Sequence, residues 1–290
     1  MTPPSDLLLD WGLRDPQPLG GRLNRHWQVR AGMEVAALRR WHDPHAAPYE
    51  LDLLTRLTGC GLDLPWLLRG PAEREGAVWT LHAWVPGDPA PREDARARGR
   101  WLADLHGRWA AVPLPENRPG FPDGLAVLHD LSSDALLDAH EAAQPGWVDL
   151  LRSHLHAARA VTAHVHTRPR RLIHGDFTPW NLRVQDGQWT GLLDLEFTRP
   201  ADPLADFALA WRGAHDDVIH GYAEVRPLSD EDRALIPALW WAHLLTGALR
   251  DLRAGTRDDG WTARMLARRS PLMGALGALR PAGVRYSGAL

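Results

Sequence analysis

The chain changes its hydrophobic periodicity near residue 86, and this change limits the folds that are open to it. Before that point, apolar residues alternate along 25–30, 34–41 and 78–85, a pattern typical of half-buried β-strands. From residue 92 onward they recur at helical spacing, as in 97–109, 125–143 and 233–253. The sequence therefore predicts an α+β fold, with a small antiparallel-sheet N-terminal lobe and a larger, mainly helical C-terminal lobe. We expect the lobes to be residues 1–86 and 87–290.

Composition excludes several classes of protein. With 44% apolar and 24% charged residues, the chain resembles an ordinary soluble globular protein. A net charge of −3 argues against a nucleic-acid partner, and no apolar run is long enough to cross a membrane. The single cysteine, Cys60, excludes an internal disulfide framework. We expect a cytoplasmic protein whose oligomeric state the sequence leaves open.

The residues that most clearly indicate a catalytic function lie in the stretch 172–184. Within it, His174, Asp176 and Asn181 fit the pattern H-x-D-x-x-x-x-N, which is the catalytic-loop spacing of kinase-type phosphoryl transfer. This spacing alone is suggestive, because a match can arise by chance in a chain of this length.

The residues that follow this stretch sharpen the prediction. Asp186-Gly187 lies between two short apolar runs, which indicates a β-hairpin. Asn181 precedes the hairpin and Asp194 closes its second strand, so we expect both side chains at the same edge. Carboxylate and amide oxygens are ligands that suit Mg²⁺.

The same segments resemble the superfamily of aminoglycoside phosphotransferases, choline kinases and homoserine kinases, which share the protein-kinase-like fold. The resemblance is carried by His-Gly-Asp-Phe-Thr-Pro-Trp-Asn-Leu at 174–182, Gly-Leu-Leu-Asp-Leu-Glu-Phe at 191–197 and Asp-Pro-Leu-Ala-Asp-Phe-Ala at 202–208. The specific match covers about 172–208, with weaker similarity over most of 18–109.

This resemblance implies a role for each residue of the motif. Asp176 is the expected catalytic base, and His174 and Asp206 are expected to support its loop. Asn181 and Asp194 are the expected ligands of Mg²⁺, and Glu196 either assists them or lies in a solvated loop.

The N-terminal lobe is implied to bind the nucleotide. Ala36-Ala-Leu-Arg39 resembles the Val-Ala-Ile-Lys strand whose lysine holds the phosphates, and all 33 basic residues of this chain are arginines. Arg39 is the expected phosphate ligand, because strand alternation turns Arg40 to the other face. Glu50 resembles the glutamate that pairs with that lysine, although a first-turn glutamate also suits the helix dipole.

Two further segments complete the expected nucleotide site. Gly20 and Gly21 are expected to form the loop over the phosphates. The segment 81–87 resembles the hinge that receives the adenine, through the backbone at His82, Ala83 and Trp84.

The resulting hypothesis is a Mg²⁺-dependent small-molecule kinase. It would transfer the γ-phosphoryl of ATP or GTP to a hydroxyl of an aminoglycoside-like, amino-alcohol or sugar substrate. The acidic segment 123–141 would suit a cationic acceptor. A quaternary ammonium could be enclosed by Trp211, Trp240, Trp241 and Trp261. Each also has a simpler interpretation, as a solvated helix face and as core packing.

Two other classes of function stay open. The missing lysine prompts a catalytically silent nucleotide-binding pseudokinase or scaffold protein. The histidines at 154, 156, 164 and 166 prompt a metalloprotein, but helical positions two residues apart lie on different faces.

Overall fold

The computed structural model describes residues 2–20, 24–163, 168–256 and 260–278. The chain forms two compact units. Unit 1 contains Met1–Pro91, Ala111–Pro113 and Pro179–Glu196, and unit 2 contains Arg92–Ala110, Leu114–Thr178 and Phe197–Leu290. Unit 1 thus includes the segment of the expected hairpin as well as the N-terminal sheet. The expected limit at residues 86 and 87 between two functional lobes stays a prediction.

The helices and strands are named in chain order. The strands are β1 (Leu13–Gly20), β2 (Arg25–Ala31), β3 (Glu34–Arg40), β4 (Leu67–Arg74), β5 (Ala77–Ala83), β6 (Asp88–Pro89), β7 (Arg171–Ile173), β8 (Leu182–Gln185), β9 (Gln188–Leu192) and β10 (Arg199–Ala201). The α-helices are α1 (Ser5–Trp11), α2 (Ala47–Arg56), α3 (Ala95–Arg108), α4 (Gly124–His129), α5 (Ser132–His140), α6 (Pro145–Thr162), α7 (Phe207–Trp211), α8 (Asp216–Val225), α9 (Asp230–Arg253) and α10 (Trp261–Leu266).

Unit 1 is built on an antiparallel five-stranded sheet in the order β1-β2-β3-β5-β4. Alternation gives this sheet two different faces. Trp27, Val29, Leu38, Trp79 and Leu81 point to one face and are buried in a core that also contains residues of α1. The residues between them on the strands point to the opposite face, which therefore is free to carry polar groups.

A second sheet in unit 1 contains the predicted hairpin. Strands β8 and β9 pair antiparallel, and β6 pairs with β8 at the edge. Asp186 and Gly187 connect β8 to β9 with positive φ angles of 49° and 72°, which is the geometry an Asp-Gly turn favours. The hairpin prediction is confirmed.

Unit 2 is mainly helical. Helices α3 and α8 pack closely, because Gly99 lies against the backbone of Val218 and Gly221 lies against the backbone of Arg96. Any side chain at either glycine would meet main-chain atoms. The long helix α9 begins with a capping box at Ser229 and buries most of its apolar side chains, as its helical spacing predicts.

One helix prediction needs correction. The apolar pattern predicts a single helix over 125–143, whereas the structure has α4 and α5 separated at Asp130. Asp130 is in an extended conformation, and its carboxylate accepts hydrogen bonds from the backbone and the hydroxyl of Ser132. This local capping competes with helical hydrogen bonding and starts a new helix. Together the sheet of unit 1 and the helices of unit 2 confirm the α+β class.

No helix within the part of the chain that the structure describes has the length and apolarity needed to span a bilayer.

Candidate active site

Unit 1 contains a cavity of about 470 Å³ on the polar face of its sheet. Its volume falls within the range of pockets that hold small molecules and cofactors. The lining comes from β2, β3, β5, α2 and the region of the hairpin, and it includes Gly20, His26, Arg39, Glu50, His82, Ala83, Trp84, Trp180, Asn181 and Asp194. Residues distant in sequence therefore meet around one space.

Arg39 is the principal cation of this cavity. Its guanidinium donates to both carboxylate oxygens of Glu50, at 2.8 and 3.3 Å. A second carboxylate, that of Glu196, lies 3.7 Å away, and the guanidinium carbon sits 3.8 Å from the ring centroid of Trp41. Glu50 is only 3% exposed, so this ion pair is held largely out of water. Arg39 is thus fixed by groups on several sides and its fork has a defined direction.

Alternation explains why Arg39 enters the cavity. On β3, Ala36 and Leu38 point into the core, so Ala37 and Arg39 point to the opposite face. Glu50 comes from the first turn of α2, whose buried face also carries Leu53 and Leu54. Packing of that apolar face places the carboxylate beside the strand.

Two neutral histidines line the same cavity. Burial and, after it, the charge of Arg39 lower the pKa of His82 to about 4. Burial, then Arg39 and His82, lower the pKa of His26 to about 3. The His82 ring bonds the carbonyl of Pro65 and the hydroxyl of Thr80, each at 2.8 Å. The side chain of His82 is therefore committed to packing and orientation within unit 1.

Asn181 and Asp194 both line this cavity. The strands of the hairpin pair Leu182 with Leu192, and the amide of Leu193 donates to the carbonyl of Asn181 at 2.8 Å. Asp194 has φ of 59°, a left-handed conformation in which aspartate is enriched relative to most residues. The hairpin thus presents one amide and one carboxylate from two points 13 positions apart in the chain.

Glu196 occupies a different environment from Asp194. One of its carboxylate oxygens accepts a hydrogen bond of 2.6 Å from the side-chain amide of Asn24, and the same oxygen is the one near Arg39. Asn24 in turn accepts from the backbone of His42. Glu196 is thereby tied to the segment before β2.

The oxygen atoms that line the cavity suit a hard divalent cation that also binds phosphate and water. Among the described residues, no group of three or more His, Cys, Asp or Glu side chains could hold a metal by itself. Mg²⁺ commonly takes one or two carboxylates and completes its shell with phosphate and water. Asp194 with Asn181 fits that mode, and a cage made only of protein ligands is not required.

Unit 2 holds Asp176 in a short loop, 174–178, called here the Asp176 loop. The buried carboxylate of Asp206 accepts from the backbone amides of His174 at 3.0 Å and Gly175 at 2.6 Å. The amide of Asp176 donates to Nδ1 of His174 at 3.2 Å. Gly175 has φ of 80° and lies against the carbonyl of Phe197, so no other residue fits there without displacement. The loop is held mainly through its backbone.

The brace of this loop continues into the helices of unit 2. Nε2 of His106 is 3.0 Å from Asp206, and Nδ1 of the same ring is 2.9 Å from the hydroxyl of Tyr222. Burial by itself raises the pKa of Asp206, but the hydrogen bond and charge of His106 lead the effects that hold it below its usual value. Burial raises the pKa of Tyr222 to about 12. Asp206 therefore stays ionised in a fully buried position.

The structure brings most of the expected site residues together within their own units. In unit 1, the cavity gathers Gly20, Arg39, Glu50, His82, Ala83, Trp84, Asn181 and Asp194. In unit 2, His174, Asp176 and Asp206 form one hydrogen-bonded group. Gly21 lies outside the described residues.

Some cavity residues escaped sequence reasoning. His26 pairs in register with Arg39 on the neighbouring strand, so alternation along β2 could have identified it. Trp180 lines the cavity and is 44% exposed, which is unusual for so large an apolar side chain. The histidines of the metalloprotein alternative are partly explained: His154 is buried and bonds the carbonyls of Leu150 and Leu266, while His164 and His166 lie outside the described residues.

Comparisons with known proteins give a consistent result. The model of the phosphotransferase enzyme family matches residues 16–230, about three quarters of the chain. A homoserine kinase of Gluconobacter oxydans (strain 621H) is 28% identical over 215 residues, which are 66% of this chain and 66% of that protein. The chain thus spans about two thirds of the length of this curated relative.

Solved structures share the fold. A thermostable mutant of the aminoglycoside phosphotransferase APH(4)-Ia, in a ternary complex with ADP and hygromycin B, superposes with a TM-score of 0.69. The two are 17% identical, and the match covers 95% of this chain and 98% of that one. A microcompartment-associated aminopropanol kinase gives a TM-score of 0.59 at 19% identity, with 88% of each chain covered.

Proposed function

The chain belongs to the phosphotransferase enzyme family, and from this premise we propose that it is a small-molecule kinase that phosphorylates a hydroxyl group. Its fold is the α+β, protein-kinase-like fold of solved aminoglycoside phosphotransferases, as the sequence predicted. The proposed activity concerns the acceptor, the nucleotide and the residues that act on them.

The observation that carries the proposal is the composition of the unit 1 cavity. Arg39, one of two arginines in the lining, and two oxygen-bearing side chains, Asn181 and Asp194, line a space of about 470 Å³. A nucleoside triphosphate with its metal presents the complementary groups, which are anionic oxygens and an open coordination shell. Apolar and aromatic residues, including Ala83 and Trp84, line the rest of the cavity and suit a nucleobase.

In this proposal unit 1 binds ATP or GTP. Arg39 binds the phosphates in place of the usual lysine, and Glu50 fixes the direction of its guanidinium fork. The segment of His82, Ala83 and Trp84 receives the base through backbone groups, since the His82 side chain is already engaged. Gly20 contributes to the loop over the phosphates.

Asn181 and Asp194 are the proposed ligands of Mg²⁺. When bound, Mg²⁺ neutralises negative charge on the phosphate oxygens. Glu196 is the proposed assisting residue, and its hydrogen bond to Asn24 keeps it beside Arg39.

Asp176 is the proposed catalytic base. It orients the acceptor hydroxyl and takes its proton as the hydroxyl oxygen bonds to the γ-phosphorus. The bond from that phosphorus to the β–γ bridging oxygen breaks, and the nucleoside diphosphate leaves with the electron pair. His174 and Asp206 position Asp176 by fixing the backbone on its N-terminal side.

The names of the relatives support a proposal for the class of acceptor. Their names describe a homoserine kinase, an aminopropanol kinase and an aminoglycoside phosphotransferase, and each name refers to a small compound that carries a hydroxyl group. We propose an acceptor of this kind for the present chain.

A pooled-acceptor screen tests the proposal. The purified protein is incubated with Mg²⁺ and ATP or GTP, together with aminoglycosides, choline, homoserine and small sugars. Formation of a phosphorylated alcohol with equal release of nucleoside diphosphate is expected. Mg²⁺-dependent nucleotide binding without transfer to any acceptor would favour the silent pseudokinase or scaffold instead.

A further inference from the structure

A chain of hydrogen bonds runs along the wall of the unit 1 cavity, which Trp41, His82 and Pro65 help to line. Nε1 of Trp41 is 2.9 Å from the hydroxyl oxygen of Thr80, and Nε2 of His82 is 2.8 Å from the same oxygen. Nδ1 of His82 is 2.8 Å from the carbonyl oxygen of Pro65. Three side chains and one backbone carbonyl are thus joined in a single line.

The chemistry of the groups gives every bond in this chain a direction. The carbonyl of Pro65 can only accept, so Nδ1 of His82 carries the proton. Burial and the charge of Arg39 keep this histidine neutral at ordinary pH, because they lower its pKa to about 4. Nε2 therefore accepts from the hydroxyl of Thr80, and the hydroxyl oxygen accepts from the indole N–H of Trp41, which can only donate.

The register of the strands places this chain beside Arg39. Arg39 on β3 pairs with Thr80 on β5, and His82 lies two positions further along β5, on the same face. Trp41 follows Arg39 by two residues and continues the same face beyond the end of β3. Its backbone amide donates to the carbonyl of Val78 at 2.9 Å, which keeps the two segments in register.

The chain is closed to water. Trp41 is 3% exposed, Thr80 is fully buried and His82 is 4% exposed. A buried donor or acceptor that lacks a partner costs free energy, and here each polar side-chain atom has one. The four groups therefore have one satisfied arrangement, and the indole of Trp41 is held in the orientation that this arrangement requires.

The indole held in this way supports the guanidinium of Arg39. The guanidinium carbon lies 3.8 Å from the ring centroid of Trp41, which is a close cation–π contact. Glu50 accepts two of the five N–H donors of the guanidinium, so donors remain for an anion. The carboxylate thus fixes the fork of Arg39, and the ring fixes the plane in which the fork lies.

We propose that Trp41, Thr80 and His82 are positioning residues for the phosphate-binding guanidinium of Arg39. Their chain fixes the indole, and the indole holds the guanidinium in the plane that binds the phosphates. This inference rests on the proposed function and deepens it, because it names residues that act on the nucleotide phosphates through Arg39. It also links two parts of the proposed site, since His82 belongs to the segment that receives the base.

The arrangement suits an arginine in particular. A guanidinium is planar and stacks on an aromatic face, whereas the ammonium of a lysine is a compact, strongly hydrated point charge. Trp41 thus offers a flat support to Arg39 that a lysine at the same position would use less well. The proposal therefore predicts that the effect of Trp41 depends on which residue occupies position 39.

Thr80→Val tests the chain at its centre, because it replaces the hydroxyl with a methyl group of nearly the same size. Calorimetry in Mg²⁺ measures Kd for AMP-PNP and for adenosine, or for GMP-PNP and guanosine if the protein uses GTP. We expect Kd for the triphosphate analogue to rise about tenfold and Kd for the nucleoside to change less than about twofold, since a nucleoside has no phosphate for Arg39.

Two further variants serve as controls. Thr80→Ser keeps the hydroxyl and should restore the triphosphate affinity to within about twofold of wild type. Thr55→Val, at an exposed threonine of α2, should change neither Kd. An equal weakening of triphosphate and nucleoside in Thr80→Val would show a general structural role and would overturn the proposal. An unchanged triphosphate Kd in Thr80→Val would overturn it as well.

A double-mutant cycle tests whether Trp41 acts through Arg39. Trp41→Phe keeps an aromatic face but has no N–H to donate to Thr80. It should raise the triphosphate Kd about tenfold in the wild-type background and less than about twofold in the Arg39→Lys background. The same tenfold loss in both backgrounds would mean that Trp41 acts independently of Arg39, which would overturn the proposal. This cycle decides the question even if Thr80→Val does not fold.

The pooled-acceptor screen separates failure of this inference from failure of the proposed function. If Thr80→Val weakens only triphosphate binding and wild-type protein phosphorylates no alcohol, the kinase is overturned and the positioning chain stands. If wild-type protein phosphorylates an alcohol and Thr80→Val leaves the nucleotide KM unchanged, the chain is overturned and the kinase stands. Wild-type protein that binds neither the triphosphate analogue nor the nucleoside would overturn both.

Discussion

The two units hold their functional groups in different ways. In unit 1, Arg39 is fixed by side chains, namely the carboxylate of Glu50, the carboxylate of Glu196 and the ring of Trp41. In unit 2, Asp206 fixes the Asp176 loop by accepting hydrogen bonds from backbone amides. The difference implies that unit 1 substitutions change ligand affinity, whereas loss of the unit 2 brace threatens the fold itself.

The largest expected effects come from the two aspartates of the proposed chemistry, one in each unit. Asp176→Asn should lower kcat by about 10³-fold, since it removes the base, and should leave nucleotide affinity nearly unchanged. Asp194→Asn should lower kcat as strongly and should also weaken Mg²⁺-dependent nucleotide binding at least about tenfold. Steady-state kinetics and calorimetry with an ATP analogue measure the two effects. If Asp176→Asn weakened nucleotide binding as much as Asp194→Asn, the assignment of separate roles to the two aspartates would be wrong.

Asp206→Asn tests the brace of unit 2. The buried carboxylate accepts from two backbone amides and faces His106, and an amide NH₂ cannot accept in its place. We expect a loss of about 3–5 kcal/mol in the free energy of unfolding, measured by urea denaturation. Asp104→Asn in α3, where the side chain is 46% exposed, is the control and is expected to cost less than about 1 kcal/mol. A similar small loss for Asp206→Asn would show that the loop does not depend on this carboxylate.

The neutral histidines of unit 1 predict how stability depends on pH. The pKa of His82 is about 4 in the folded protein, against 6.5 as its ordinary value. The unfolded state therefore binds more protons between these values, and stability should fall as the pH is lowered from about 6.5 toward 4. His82 alone should account for about 3 kcal/mol of this loss.

Urea unfolding across that pH range, with wild type and His82→Gln, measures the contribution. The variant should show a flatter dependence, because glutamine does not titrate. His45→Gln, at an exposed position, should keep the wild-type slope. An unchanged slope in His82→Gln would mean that His82 can be protonated without cost.

The smallest expected effect tests the ion pair of unit 1. Glu50→Gln keeps the size of the side chain but removes one of the carboxylates that orient Arg39. We expect KM for the nucleotide to rise about tenfold, with a change in unfolding free energy of about 1 kcal/mol. A large loss of stability with an unchanged KM would contradict the claim that substitutions in unit 1 mainly change ligand affinity.

Local patterns predicted much of the fold. Alternation identified β2, β3 and β5, helical spacing identified α9, and the Asp-Gly dipeptide identified the β8–β9 turn. Each of these elements can be recognised from its own sequence, by its periodicity or by its turn residues. Strand β4 was missed because Gly70-Pro71 interrupts it and its side chains are mostly exposed, so no alternation is visible.

In the candidate site, too, some residues can be predicted from local patterns and others cannot. The spacing of His174, Asp176 and Asn181 is local, so the sequence alone indicates these residues. The pairing of His106 with Asp206 spans 100 positions, and no sequence pattern brings these two residues together. Likewise, the pairing of Glu196 with Asn24 depends on tertiary contacts over 172 positions.

The most direct test of the central claim follows the phosphoryl group itself. Wild-type protein is incubated with Mg²⁺, small hydroxyl acceptors such as homoserine, and ATP labelled either on its γ-phosphate or on its α-phosphate. The account predicts that γ-label appears on the alcohol, with one nucleoside diphosphate released for each phosphate transferred, and that α-label stays with the nucleotide. Transfer of γ-label to water alone, or its retention on bound ATP with every small hydroxyl acceptor, would contradict the account.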